Sequence, residues 1–130
     1  MDDLPIALIT GATRGIGHAI AEALKNSHHL LIGGTDAART TSVAAGFPSA
    51  EPFAVDLSDE EATKSAATKV GRLDVLVHSA GVALALPDAG SVRASWRQTF
   101  EVHVLAVMDL TRILLPALRA SRGQVVLINS

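Results

Sequence analysis

Thr10-Gly11-Ala12-Thr13-Arg14-Gly15-Ile16-Gly17 is the stretch on which the fold turns. Just before it, Leu4-Pro5-Ile6-Ala7-Leu8-Ile9-Thr10 is a short, nearly continuous apolar run that reads as a buried strand. Just after it, apolar residues at 16, 19, 20, 23 and 24 recur at helical spacing. A glycine-rich turn between a buried strand and such a helix suits a pyrophosphate. Glycines let the backbone turn sharply and approach the ligand, while the helix N-terminus offers free N–H groups and the positive end of its dipole. A nucleotide-hydrolysing loop would close in Gly-Lys-Ser/Thr, but His18 and Ala19 follow Gly17. Taken alone, the glycines are equally compatible with a ligand-free turn; the flanking strand and helix favour dinucleotide binding.

The same alternation continues outward. Leu30-Leu31-Ile32 reads as a second strand stopped by Gly33-Gly34, and Asp36 to Ala45 as an Ala-rich helix. Pro52-Phe53-Ala54-Val55 is a third strand. Ser58-Asp59-Glu60-Glu61 has the form of a helix start, with Glu61 three after Ser58, and the helix runs to about Val70. Leu73-Asp74-Val75-Leu76-Val77 is a fourth strand, leading into His78-Ser79-Ala80-Gly81. Val82 to Ser91, with Pro87, Asp88 and Gly90, reads as loop. A long helix is expected from about Ser95 to Ala120, with Pro116 placed to kink its last turns. Its residues Trp96, Phe100, Val104, Val107, Leu114 and Leu118 fall near one face, and the part from Trp96 to Val107 is read chiefly as core. Gln124-Val125-Val126-Leu127-Ile128 is a fifth strand. Strands rich in Val, Ile and Leu, separated by helices, imply an α/β fold with a doubly wound parallel sheet covered on both faces. No repeat, linker or low-complexity tract interrupts residues 1–130, so one domain is expected.

Composition narrows the function. Eleven Lys+Arg against thirteen Asp+Glu give a net charge of −2, which argues against a general nucleic-acid binder. No apolar run approaches the roughly 18 residues needed to span a bilayer. The opening Met1-Asp2-Asp3 is acidic where a signal peptide would be basic, so a cytoplasmic protein is expected. The chain has no cysteine, which removes disulfides, thiolate nucleophiles and Cys-ligated zinc. His18, His28 and His29 lack ligand spacing with acidic partners, and no metal site is expected.

The three-residue gap between Gly11 and Gly15 gives TGxxxGxG, which resembles the short-chain dehydrogenase/reductase family. Further motifs follow in that family's order over essentially all 130 residues. Asp56-Leu57 follows the third strand, where the resemblance implies a contact with the adenine amino group. His78-Ser79-Ala80-Gly81 is similar to the family's NNAG motif with both asparagines replaced, and Val125-Val126-Leu127-Ile128-Asn129-Ser130 resembles the strand that runs into the catalytic serine. The resemblance implies a Rossmann-type sheet of five strands in the order 3-2-1-4-5, truncated before the family's last strands. It also implies an NAD(P)-dependent oxidoreductase acting on a small carbonyl or alcohol substrate. Gly11, Thr13, Arg14, Gly15, Ile16, Gly17, Thr35, Asp56, Leu57, Ser79, Ala80 and Gly81 are the expected cofactor-binding residues.

Charge bears on the choice of cofactor. NAD-preferring folds place an acidic side chain at the end of the second strand, whereas here Gly33-Gly34-Thr35 stands there and Asp36 comes later. Thr35 takes a place where many NADP-type relatives carry arginine, but Arg14 in the glycine loop suits a 2′-phosphate. NADP is favoured, with NAD the alternative.

The resemblance makes Ser130 the catalytic serine, and puts His103, in Phe100-Glu101-Val102-His103-Val104, at the family's asparagine position. His103 is then either a histidine hydrogen-bonded within the helix face or an imidazole taking over a proton relay. The family's proton donor is a tyrosine, followed four residues later by a lysine. The chain contains no tyrosine. It is therefore expected to be the N-terminal portion of a reductase, inactive by itself, with a non-catalytic dinucleotide-binding module as the alternative. Homo-oligomer formation is implied by the resemblance alone. An open fifth strand is expected to leave the 130-residue chain prone to self-association.

Overall fold

The computed structural model describes residues 3–82 and 92–129. Five strands, β1 (Ile6–Ile9), β2 (His29–Gly34), β3 (Ala50–Ala54), β4 (Val75–His78) and β5 (Gln124–Leu127), form one parallel sheet in the order β3-β2-β1-β4-β5. Helices α1 (Gly15–Leu24), α2 (Ala37–Ala45) and α3 (Glu60–Thr68) make the first crossovers. A longer helical run comprises α4 (Val92–Phe100), a π-helical turn (Glu101–Leu105) and α5 (Ala106–Ser121), which continues through Pro116. The Rossmann-type order expected from the sequence is the order found.

Strand periodicity divides the core between two faces. Ala7, Ile9, Leu30, Ile32 and Val77 pack with Ala21, Ala44 and Phe47 on the side of α1 and α2. Leu8, Leu31, Phe53 and Leu76 pack with Leu110, Leu114 and Leu118 on the side of α3 and α5. Alternate residues of one short strand thus serve opposite cores, which is why β1 and the Leu30-Leu31-Ile32 centre of β2 are apolar.

Three local expectations change. Gly33 and Gly34 continue β2 rather than stopping it. A Cβ on Gly33 would lie 2.7 Å from the Ile9 carbonyl oxygen, so the missing side chain lets β2 run closely beside the end of β1. The start of α3 is capped by Asp59, not Ser58. The Asp59 carboxylate accepts from the Ala62 N–H at 3.0 Å, whereas the Ser58 hydroxyl donates to Asp56 at 2.7 Å. Helix α2 opens in the same way, with Asp36 accepting from the Arg39 N–H at 2.8 Å. In both helices a buried threonine four residues on, Thr40 or Thr63, donates back to the capping residue's carbonyl.

The third correction concerns the long helix. Trp96, Phe100 and Val104 are not core; they are 61%, 55% and 45% exposed. In an uninterrupted α-helix they would share a face with Leu114 and Leu118. The π turn accommodates an extra residue, which rotates everything beyond it by about 100°. The buried stripe of α5 is consequently Ala106, Leu110, Leu114 and Leu118, while the apolar stripe of α4 faces outward. No helix among the described residues is long and apolar enough to cross a membrane.

Candidate functional site

A cleft of about 730 Å³ opens at the carboxyl ends of β1, β2, β3 and β4. This is where a doubly wound sheet reverses its winding direction and where such sheets hold ligands. Gly11, Thr13, Arg14, Gly15, Ile16 and Gly17 line it from the β1–α1 turn. Thr35 joins from the end of β2, Asp56 and Leu57 from beyond β3, and Ser79, Ala80 and Gly81 from beyond β4. All twelve residues expected from the sequence therefore border one space.

The turn's conformation depends on its glycines. Gly11 and Gly15 both have φ of 61°, the left-handed region that a side chain disfavours. At Gly11 a Cβ would also approach the Ala80 Cα to 2.7 Å, and one on Gly17 would collide with the Gly11 carbonyl. The turn is thus closely packed at Gly11 and Gly17, whereas at Gly15, where a Cβ would meet nothing within 4 Å, the positive φ alone favours glycine.

Helix α1 differs from α2 and α3 at its start. It has no side-chain cap hydrogen bond and no acidic residue in its first turn, whereas the other two carry aspartate caps. Its leading N–H groups are left for a ligand, and the positive end of the helix favours an anion. Together with a cradle that Cβ atoms would fill, these features fit a dinucleotide's pyrophosphate.

Charges round the cleft are distributed unequally. The Asp36 carboxylate is engaged at the α2 N-terminus, and Asp56 accepts from both the Ser58 N–H and hydroxyl at 2.9 and 2.7 Å. The Arg14 and Arg39 guanidinium groups, both bordering the cleft, form no ion pair among the described residues. Arg39 is not among the residues expected from the sequence, which in this wall of the cleft reach only Thr35. The signal was helical spacing: Arg39 lies three residues into α2, within one turn of Asp36. Val82, Gln98, Val102 and Ile128 also border the cleft and were not expected.

Thr10 joins the two central walls. Its buried hydroxyl oxygen accepts from the Ser79 and Ala80 N–H groups at 2.9 and 3.0 Å, tying the β1 end to the turn after β4. His78 is buried, with Nε2 2.9 Å from the Thr111 hydroxyl of α5. Burial pulls its pKa down to about 4, so the ring is neutral at physiological pH. His103 lies in the π turn, with Nε2 3.0 Å from the Val82 nitrogen and 3.3 Å from its carbonyl oxygen. Ser130 and most of the expected 82–91 loop lie outside the described residues.

A glycine turn at an uncapped helix, at the winding reversal of a parallel sheet, defines a Rossmann-type dinucleotide site. The chain belongs to the short-chain dehydrogenase/reductase family: a family model described as short chain dehydrogenase matches residues 5–130. L-xylulose reductase of Mesocricetus auratus is 34% identical over 128 residues, covering 95% of this chain and 52% of the relative. A metagenomic short-chain oxidoreductase solved in complex with NADP superposes with a TM-score of 0.82 at 34% identity, covering 97% of this chain and 61% of that one. L-sorbose reductase from Gluconobacter frateurii, complexed with NADPH and L-sorbose, gives 0.83 at 27% identity, covering 95% and 51%. The chain thus spans about half the length of the relatives it matches.

Proposed function

We propose that the chain is the cofactor-binding portion of an NADP(H)-dependent oxidoreductase, which in the complete protein transfers hydride between nicotinamide and a carbonyl or alcohol. The observation that carries this reading is the convergence of four separate segments on one cleft around the uncapped N-terminus of α1. The glycine-turn amides at the N-terminus of α1 would hold the pyrophosphate (the Ala12 N–H is committed to the Gly33 carbonyl at 2.8 Å), with Asp56 and Leu57 toward the adenine and Ser79 to Gly81 walling the opposite side. Arg14 and Arg39 would meet the 2′-phosphate, for which planar guanidinium groups are suited. NADP supplies or accepts the hydride; positioning and charge are what the chain contributes.

The rest of the reaction is less completely provided. Ser130 would orient the substrate oxygen, and His103 stands where the family's asparagine supports proton relay. A tyrosine donor is absent from these 130 residues, so the segment by itself is proposed not to turn over. That absence also favours a second reading, a dinucleotide-binding module without catalysis. Two relatives are named for reducing ketoses, L-xylulose and L-sorbose, which makes a small polyhydroxylated ketone the substrate class to assay first. The outward apolar stripe of Trp96, Phe100, Val104 and Met108 supports a homo-oligomer.

Titration with NADPH, followed by nicotinamide fluorescence, tests the reading. Saturable binding is expected, and Arg14→Ala and Arg39→Ala should each weaken NADPH by about tenfold, with little change for NADH. Non-saturable NADPH binding would overturn the assignment, and equal losses for the two cofactors would overturn the phosphate contacts. Turnover of ketoses by the complete protein, but not by residues 1–130, separates the reductase from the module.

A further inference from the structure

A second concavity, of about 400 Å³, lies between the edge strand β3 and the segment that leads from α3 into β4. Leu31 and Phe53 form its apolar floor, with Ala66 and Val70 beside them. Helix α3 turns only Ala62, Thr63, Ala66 and Ala67 toward the core, side chains too short to fill the space over β3. Among the described residues, Phe53 is the only one that borders both this groove and the cofactor cleft. Lys69, Gly71 and Arg72 stand exposed at its mouth. A Cβ on Gly71 would meet nothing within 4 Å, so the mouth stays open where a side chain would narrow it.

The charges around this groove are unequally engaged. Glu51 Oε2 lies 2.8 Å from His29 Nε2, and His29 Nδ1 lies 2.7 Å from the Ser49 hydroxyl. Asp74, behind Arg72, accepts from the Ile6 N–H at 2.8 Å and faces Arg72 Nε at 3.5 Å. Both carboxylates thus have partners. Lys69 forms no ion pair among the described residues. Arg72 adds one contact to the Leu4 carbonyl at 3.4 Å, which leaves most of its planar fork of N–H donors unengaged. The groups left to take a ligand are therefore cationic, and they flank an apolar floor.

We propose that this groove is a second ligand site, built for a monocarboxylate with an apolar body, such as a medium-chain fatty acid. Lys69 and Arg72 hold the carboxylate, and the hydrocarbon lies over Phe53, Leu31 and Val70. A guanidinium suits a carboxylate, and a lysine stem covers apolar surface while its ammonium stays in water. The volume and the combination of apolar lining with a few polar groups are those of small-molecule sites. The site stands independently of the dinucleotide reading.

Octanoate is the probe, titrated into the isotope-labelled chain and followed by backbone amide shifts. Saturable shifts are expected at Glu51, Phe53 and Lys69 to Arg72, with a Kd on the order of 1 mM or below. Octanamide, which keeps the chain without the charge, and acetate, which keeps the charge without the chain, should each bind about tenfold more weakly. Lys69→Gln should weaken octanoate by about 3- to 10-fold. Gly71→Phe, whose ring closes the mouth, should abolish the saturable shifts while NADPH affinity and melting temperature stay at wild-type values. Lys69→Gln, at an exposed position, keeps the test decisive if Gly71→Phe unfolds. Equal affinity for octanoate and octanamide would overturn the carboxylate assignment. Shifts that do not saturate, that centre on β5, or that survive both substitutions would overturn the site. Failure of the wild-type chain to bind NADPH would remove the dinucleotide reading and leave this one standing.

Discussion

β1 and β5 belong to the same parallel sheet and both are rich in aliphatic residues, yet their environments are opposite. Ala7, Leu8 and Ile9 have no exposed surface, whereas every residue of β5 is exposed, Leu127 to 60%. β1 has strands on both sides and helices on both faces; β5 has only β4 beside it. Most of the cofactor cleft lies on the enclosed side, with Ile128 bordering it from the end of β5. The glycine turn and the ends of β1 and β2 are built from packing complete within these residues. The β5 side presents apolar surface with no partner among them. Aliphatic strand residues therefore mark a buried strand only where the topology supplies neighbours.

The largest expected effect breaks the enclosed side at the cleft. Gly17→Val would drive a side chain into the Gly11 carbonyl and Ser79, and NADPH affinity should fall on the order of 100-fold. Gly71, where a Cβ meets nothing within 4 Å, is the control: Gly71→Ala should bind normally. Urea unfolding then compares the strands directly. Leu8→Ala should cost about 2–5 kcal/mol, and Leu127→Ala about 0.5 kcal/mol or less. Similar losses at the two positions would abolish the contrast.

His78 lies at the boundary between these regions and gives it a pH dependence. Its imidazole titrates near the ordinary 6.5 in the unfolded chain but near 4 in the fold. Between those values the unfolded state binds the extra proton. Stability is then at its full value above about pH 6.5, declines as pH falls toward 4, and the His78 contribution is level below that. The decline should be on the order of 2 kcal/mol, and His78→Asn should remove it from that window. An identical slope in wild type and variant would dismiss His78 as its source.

A small gain in stability is expected at the entry to β5. Arg122 ends α5 with φ of 57°, a conformation normally left to glycine, while Gly123 is reserved for close approach to the Asp74 carbonyl. Arg122→Gly should stabilise the chain by about 0.5–1 kcal/mol in the same unfolding assay. Destabilisation would show that the Arg122 side chain has a compensating role on the open side.

What the sequence made legible follows the range of each interaction. The glycine loop could be read because strand, turn and helix are contiguous; the parallel α/β class followed from strands separated by helices, and the sheet order from the family resemblance. The Asp59 cap was obscured by Ser58, which competes for the same local role but is occupied by Asp56. Trp96, Phe100 and Val104 were misplaced because a single π turn changes the phase of a helix without any mark in hydrophobic periodicity. Arg39 shares the first turn of α2 with Asp36, but that spacing points to the cleft only once the direction in which α2 leaves β2 is known. The contacts of His78 with Thr111 and of His103 with Val82 span 33 and 21 residues, beyond any local pattern.

The two lateral boundaries of the sheet differ in one further respect. β3 carries Pro52, which has no N–H to donate, beside the charged Glu51. A strand approaching from that side would find an interrupted ladder. β5 contains no proline and its four residues are Gln, Val, Val and Leu. Lateral extension of this architecture, whether by more of the same polypeptide or by an aggregating neighbour, is therefore directional: it is blocked beyond Pro52 and open beyond Leu127.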